Sequence, residues 1–219
     1  MKPLILINFK NYVQSTGQIA VSLVKQLEQV RVTGYQVAVA PALLDLRSIV
    51  NVVKLPIFAQ HADAVEKGPF TGKVSVQALK ELGVTGVILN HSECKVPFAE
   101  LQKTGELCKK YHLKAVICAS TLAEVKRVAV LKPEYLAYEP QELIGGNISV
   151  TDAKPEILTK VVKKVQIVSP GTLVLCGAGI HTREDVLTAL KLGMGGVLLA
   201  HAVVKARKPK EFMRRLLST

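Results

Sequence analysis

Tyr138-Glu139-Pro140 places a carboxylate where an apolar run, Tyr135 to Tyr138, stops, and a glycine-rich segment, Gln141 to Asn147, follows at once. A glutamate in that position can take and return a proton beside a stretch of chain that can move. Further polar groups stand at the ends of other apolar runs. Asn8 and Lys10 close Leu4-Ile5-Leu6-Ile7, His91 and Glu93 follow Val87-Ile88-Leu89-Asn90, and Gly177-Ala178-Gly179 follows Leu173-Val174-Leu175-Cys176. His91 can donate a hydrogen bond to a carbonyl or enediolate oxygen. Lys10 supplies a fixed positive charge, and Gly145, Gly177 and Gly179 can offer backbone N–H groups to a phosphate. A base, an electrophile and an anion cradle suit proton abstraction next to a carbonyl in a small phosphorylated substrate. The chemistry requires no metal and no cofactor. His91 and Glu93 are two residues apart, and no second histidine stands at ligand spacing.

Taken singly, each group has an ordinary structural role. A strand-end glutamate commonly caps a helix or joins a surface ion pair, a lone histidine is commonly satisfied in the core, and G-A-G is commonly a tight turn. Glu93 reads as an ion-pair partner that holds its loop. Their joint occurrence at the ends of consistent apolar runs is what argues for one site.

The elements that must position these groups alternate along the chain. Strands are expected at Leu4–Phe9, Gln36–Ala40, Pro56–Gln60, Gly86–Asn90, Lys114–Cys118, Glu134–Tyr138, Thr172–Cys176 and Gly195–Leu199. Each is short and apolar on both faces, as parallel strands covered on both sides must be. Helical patterns lie between them at Gln18–Val32, Leu43–Val53, Ser75–Leu82, Pro97–Tyr111, Leu122–Leu131, Thr151–Val168, Arg183–Leu192 and Lys208–Leu217. Ile19, Leu23, Leu27 and Val30 mark the apolar stripe of the first. Thr182 ahead of Arg183-Glu184-Asp185 is an N-cap signal, and Gly83 and Gly193 are C-cap signals. Strand–helix units in this number predict an α/β chain folded as a (β/α)8 barrel, with a doubly wound open sheet as the alternative. No G-x-G-x-x-G follows the first strand to favour the latter. In such barrels the site lies at the C-terminal rim, where Asn8, Lys10, His91, Glu139 and Gly177 fall.

At 219 residues and 49% hydrophobic, the chain suits a single domain spanning residues 1–219. No apolar run reaches the ~18 residues that span a membrane, and the N-terminus enters a strand without a basic leader, so a cytoplasmic protein is expected. Cys94, Cys108, Cys118 and Cys176 form no C-x-x-C pair. Cys118 and Cys176 sit in apolar runs and read as buried small hydrophobes. The net charge of +12 is spread along the chain, with 5% aromatics and no tryptophan. That argues for a solvated surface that attracts anionic metabolites and against a nucleic-acid partner.

Taken together, these residues resemble the triosephosphate isomerase family in its short archaeal form, over nearly the whole chain. Ile7-Asn8-Phe9-Lys10 is similar to the N-x-K motif, Asn90-His91-Ser92-Glu93 to the histidine motif, and Tyr138-Glu139-Pro140 to the catalytic glutamate and the start of the lid. Gly68 to Ser75 resembles the protruding third loop, and Cys176 to Ile180 the phosphate turn. The resemblance implies a TIM barrel that interconverts dihydroxyacetone phosphate and D-glyceraldehyde 3-phosphate in glycolysis and gluconeogenesis. It implies Glu139 as base, His91 as electrophile, Lys10 as enediolate stabiliser and Asn8 as positioning group. Substrate-binding positions would be Asn8, Lys10, Ile144, Gly145, Gly177, Gly179, Ala200 and His201, under a lid from Pro140 to about Ile148. The expected assembly is a homodimer or homotetramer formed through the loop Gly68 to Ser75.

The chain departs from the family pattern in three places. Gly145-Gly146-Asn147 stands where G-T-G is usual. Ala200-His201 stands where Gly-Gly or Ala-Ser is usual, and at lower pH the His201 imidazole would add a charge-assisted contact to phosphate. Lys73 and Cys94 replace an acidic residue and an arginine that pair across subunits in many relatives. Another phosphate-binding barrel enzyme and a barrel that binds without turnover remain as rival readings. An aldolase would need a Schiff-base lysine in mid-barrel, and Lys114 starts its strand at the opposite end.

Overall fold

Residues 2–30, 32–140 and 155–218 are described by a computed structural model. The apolar runs form β1 (Leu4–Asn8), β2 (Gln36–Ala40), β3 (Phe58–Ala59), β4 (Gly86–Leu89), β5 (Lys114–Ala119), β6 (Tyr135–Tyr138), β7 (Leu173–Cys176) and β8 (Gly196–Leu199). They build one eight-stranded parallel sheet in the order β2-β1-β8-β7-β6-β5-β4-β3. The two ends of that order meet through a parallel bridge between Val39 and Ile57, where the Val39 N–H donates to the Pro56 carbonyl at 3.1 Å. The sheet is thus a nearly closed barrel, and the open-sheet alternative falls. β3 is shorter than the expected Pro56–Gln60. Pro56 has no N–H to give a ladder, and Gln60 turns its amide to the Lys10 and Ala40 carbonyls.

Alternation along the strands sorts the core into two layers. Leu4, Leu6, Ala38, Ala40, Phe58, Ile88, Val116, Cys118, Tyr135, Ala137, Leu175 and Leu198 form an inner cluster drawn from strands alone. Their alternates, such as Ile5, Ile7, Val39, Leu89, Leu136 and Val174, pack outward with the helices. Near the N-terminal end of the barrel the Phe58 ring is accommodated by Gly86, where a Cβ would lie 2.3 Å from Phe58 Cε1. One further step of the inward series, at or just past the last strand residue, gives Asn8, Gln60, Asn90, Ser120, Glu139, Gly177 and Ala200. The inner layer therefore changes from apolar to polar and small at the C-terminal rim.

The helices are α1 (Gly17–Glu28), α2 (Leu46–Val50), α3 (Val76–Leu82), α4 (Phe98–Lys110), α5 (Leu122–Ala129), α6 (Pro155–Val168), α7 (Arg183–Lys191), α8 (His201–Val204) and α9 (Pro209–Leu217). The expected start of α6 at Thr151 lies outside the described residues. The expected helix over Leu43–Val53 is a 3₁₀ turn, Leu43–Asp45, followed by the short α2. α1 stops at Glu28, and its buried stripe is Ala20, Leu23, Val24 and Leu27, while Ile19 is solvent-exposed. The i, i+3, i+4, i+7 face centres on Ala20, a residue too small to stand out beside Ile19 in the sequence. Thr182 caps α7 in a reciprocal box with Asp185, and Gly83 ends α3 in the left-handed conformation.

Candidate active site

Lys10 follows β1 with φ of 49°, a left-handed conformation that costs a lysine about 1 kcal/mol or more. Two side chains hold it there. The Lys10 N–H donates to Asn8 Oδ1 at 3.0 Å, and the Gln60 amide donates to the Lys10 carbonyl at 3.1 Å and the Ala40 carbonyl at 2.9 Å. The turn directs the lysine across the rim, where Nζ meets Glu93 Oε1 at 2.6 Å. Glu93 thus fills the ion-pair role read from its loop, with Lys10 as partner.

At the end of β4, Asn90 also has positive φ, 57°, and ties its loop to β5. Its Nδ2 donates to the Cys118 carbonyl at 2.9 Å and to Glu124 Oε1 at 2.8 Å, and its Oδ1 accepts from the Val96 N–H at 3.2 Å. Glu124 also accepts from Lys95 Nζ at 2.7 Å and from the Ser120 N–H at 2.8 Å. Burial alone would raise the Glu124 carboxyl, but Lys95, the Ser120 N–H and Asn90 outweigh it and hold the group below its ordinary value. The loop so pinned carries His91, which is 7% exposed. His91 Nδ1 accepts from the Glu93 N–H at 3.1 Å. A neutral imidazole that accepts at Nδ1 carries its hydrogen on Nε2. Nε2 lies 3.4 Å from Glu139 Oε1.

Glu139 is 4% exposed, and its N–H continues the β5–β6 ladder to the Ala119 carbonyl at 2.8 Å. Its side chain lies where a Cβ on residue 177 would be, 2.3 Å from Glu139 Cγ, so the glycine at that position makes room for the carboxylate arm. Burial, and then the Glu139 carboxylate beside it, push the Cys118 thiol well above its ordinary value. Glu139 is therefore flanked by a protonated Cys118 thiol and by Nε2 of the His91 ring. Its Oε2 is buried without a hydrogen-bond partner among the described residues. Cys118 and Cys176 are buried, as their apolar settings suggested, and burial pushes the Cys176 thiol up to about 12.

Asn8, Lys10, His91, Glu139, Gly177, Gly179, Ala200 and His201 line one cleft of about 60 Å³. The structure brings these expected positions together. Ile144, Gly145 and the lid beyond Pro140 lie outside the described residues. Four contributors had been missed: Gln60, Asn90, Glu124 and His181. Gln60 and Asn90 belong to the inward polar series, which period-two counting would have found. His181 lines the same cleft, its ring centroid 5.8 Å from that of His201.

A parallel barrel with a buried carboxylate, an imidazole and a lysine at its C-terminal rim defines the class of (β/α)8 enzymes equipped for acid–base chemistry on small substrates. The family model described as triosephosphate isomerase matches residues 3–216. The triosephosphate isomerase of Methanosarcina acetivorans is 43% identical over 216 residues, covering 98% of this chain and 97% of that protein. That of Methanocaldococcus jannaschii is 41% identical over 215 residues, covering 98% of each. The chain belongs to the triosephosphate isomerase family. It is an aldose–ketose isomerase of dihydroxyacetone phosphate and D-glyceraldehyde 3-phosphate, a reaction of glycolysis and gluconeogenesis.

Proposed function

We propose that Glu139 is the base of this isomerisation, His91 its electrophile and Lys10 its fixed cation. The observation that carries these roles is the 3.4 Å approach of His91 Nε2 to Glu139 Oε1, with Nδ1 already occupied by the Glu93 N–H. A substrate carbonyl laid against this pair meets an N–H on its oxygen and a carboxylate at its neighbouring carbon. Glu139 removes the carbon-bound proton, and the electron pair moves into an enediolate whose oxygen is held by His91 Nε2–H. His91 moves protons between the two oxygens, and Glu139 returns its proton to the adjacent carbon. Lys10 Nζ stabilises the developing negative charge, and Asn8 positions the substrate. The phosphate is held by backbone N–H groups at Gly179, Ala200 and His201, whereas the Gly177 N–H is taken by the Tyr138 carbonyl at 2.9 Å and Gly177 serves as part of the cleft wall. Ile144 and Gly145 close over it as part of the lid, and the exclusion of water protects the enediolate from losing phosphate.

The test is isomerisation of D-glyceraldehyde 3-phosphate by E139D and E139Q beside the unmodified enzyme. Turnover falls by about 10²–10⁴-fold with the fold intact by circular dichroism if Glu139 is the base. Unchanged turnover overturns the assignment.

The working unit in this reading is one barrel domain, residues 1–219, in the cytoplasm. Among the described residues no helix is long and apolar enough to cross a membrane. Subunits associate as a homodimer or homotetramer through the loop Gly68 to Ser75. In support, that loop is braced within its own chain and ends in an exposed apolar tip. Asp63 Oδ2 accepts from the Val74 N–H at 2.7 Å, Asp63 Oδ1 meets Lys73 Nζ at 3.0 Å, and Phe70 is 46% exposed. A groove of about 440 Å³ beside the site, bordered by Tyr12, Leu43, His61 and Cys94, can receive that tip from another copy. Lys73 has Asp63 as its counter-ion, so assembly needs no ionic partner across the interface.

A further inference from the structure

The end of the cleft formed by the loops after β7 and β8 carries two imidazoles that the reaction does not use. His181 stands in the loop after β7 and His201 begins α8. Their ring centroids are 5.8 Å apart at an interplanar angle of 58°, and both line the cleft with Gly177, Gly179 and Ala200. The His181 N–H is fixed by Asp185 Oδ2 at 2.8 Å, which anchors the backbone that carries the ring. His181 Nε2 is buried and has no hydrogen-bond partner among the described residues. A buried ring nitrogen left unpaired is costly unless a ligand completes it.

The surroundings of the pair are strongly cationic. Lys10 comes from the loop after β1, and Lys205, at the end of α8, sits with Nζ 4.4 Å from the centre of the Tyr12 ring. On the outer side, Arg183, Glu184 and Arg215 share a groove with His181, and Arg207, Lys208, Glu211 and Arg214 share one with His201. Burial first, then His181, Lys205 and Lys10, hold the His201 imidazole below its ordinary value. A proton on the His201 ring is therefore opposed by its neighbours. A dianion placed between the rings reverses that balance.

We propose, building on the placement of the substrate phosphate at this end of the cleft, that His181 and His201 bind that phosphate directly through imidazole N–H groups and together take up one proton as they do so. The proton comes from solvent, no covalent bond is made or broken, and the pair shares the charge because two imidazoliums at this separation repel. The substrate is thus held by a proton-linked side-chain contact in addition to backbone donors. Binding strengthens as pH falls through the imidazole range. It levels off in acid where the empty pair is already protonated, and in alkali where even the bound pair stays neutral.

Inorganic sulfate is the suitable probe, because it remains a dianion where phosphate esters titrate. Its inhibition constant against D-glyceraldehyde 3-phosphate is measured between about pH 5.5 and 8.5, the range in which imidazoles change charge. Calorimetry in two buffers of different ionisation enthalpy counts protons taken up. The expected result is competitive inhibition that tightens by up to about tenfold per pH unit, with proton uptake approaching one per sulfate. In the H181N/H201N double variant both the pH dependence and the uptake disappear. A flat inhibition constant without proton uptake in the unmodified enzyme overturns the imidazole pair while leaving the phosphate site intact, and so does a dependence that survives in the double variant. Sulfate that fails to compete with substrate at any pH overturns the placement of the phosphate itself.

Discussion

Gly177 and Glu139 occupy each other's space: a Cβ on residue 177 would lie 2.3 Å from Glu139 Cγ and 3.2 Å from its carboxyl carbon. Neighbouring strands set this relation, because the Gly177 N–H bonds the Tyr138 carbonyl at 2.9 Å and fixes the two residues side by side. G177A must therefore push the carboxylate arm away from its line with His91. A displacement of an ångström at reacting groups costs about 100-fold in rate. We expect kcat of G177A to fall by about that factor while its circular dichroism is unchanged. An undiminished kcat would show that the arm works equally well from another position.

Gln60 is expected to act through Lys10. Its amide satisfies the carbonyl of a lysine in left-handed backbone as well as that of Ala40. Q60A leaves both carbonyls without that donor and removes the brace from a strained turn. Loss of about 0.5–1.5 kcal/mol in stability follows from the missing hydrogen bonds, since the Ala40 carbonyl keeps the Phe9 N–H at 2.9 Å. A rise in KM larger than the fall in kcat would follow from a looser lysine. Chemical denaturation and steady-state kinetics read the two separately. A change in stability alone would give Gln60 a purely structural part.

Much of this arrangement was legible in the sequence because parallel strands covered on both faces must be continuous apolar runs, and the polar residues that interrupt them mark the rim. Asn8, His91 and Glu139 were found that way. The Lys10–Gln60 contact was not, since it joins loops fifty residues apart and depends on the closure of the barrel between β2 and β3. The pairing of His181 with His201 follows from the adjacency of β7 and β8, which strand order implies but residue spacing does not display. α1 was read too long because Val30 lies close beyond its end and continues the apolar spacing. α8 escaped notice because a single turn of helix has no periodicity to detect.

Glu124 gives the stability of the molecule a defined acid dependence. Its carboxyl is held below the ordinary value of 4.5 in the folded chain, chiefly by Lys95, the Ser120 N–H and Asn90 against the opposing effect of burial. A depressed folded pKa stabilises the fold above the unfolded pKa, and the contribution is lost as pH falls through the folded value. E124Q should therefore be less stable than the unmodified protein near neutrality. The difference should shrink once pH falls below 4.5 and vanish below the folded value. Urea midpoints measured down the acid limb test this, and a constant difference at all pH values would deny the carboxylate its part.

The proposed assembly through the loop Gly68 to Ser75 can be tested at Cys94 with a simple reagent. Cys94 is the exposed thiol, whereas Cys108, Cys118 and Cys176 are buried, with the Cys108 and Cys176 thiols each pushed up to about 12, mainly by burial. Only thiolate reacts quickly, so one thiol of the folded chain should be labelled by a disulfide reagent and the others only after unfolding. Cys94 Sγ lies 3.8 Å from His61 Nδ1 in the groove bordered by Tyr12 and Leu43. If Phe70 of another copy fills that groove, Cys94 reacts slowly in the assembled enzyme. F70E places a charge where an apolar contact is needed, which disfavours association. We expect F70E to sediment as a monomer and its Cys94 to be labelled at least about tenfold faster, in proportion to the lost protection. Equal labelling rates in two proteins of the same oligomeric state would move the interface away from this loop.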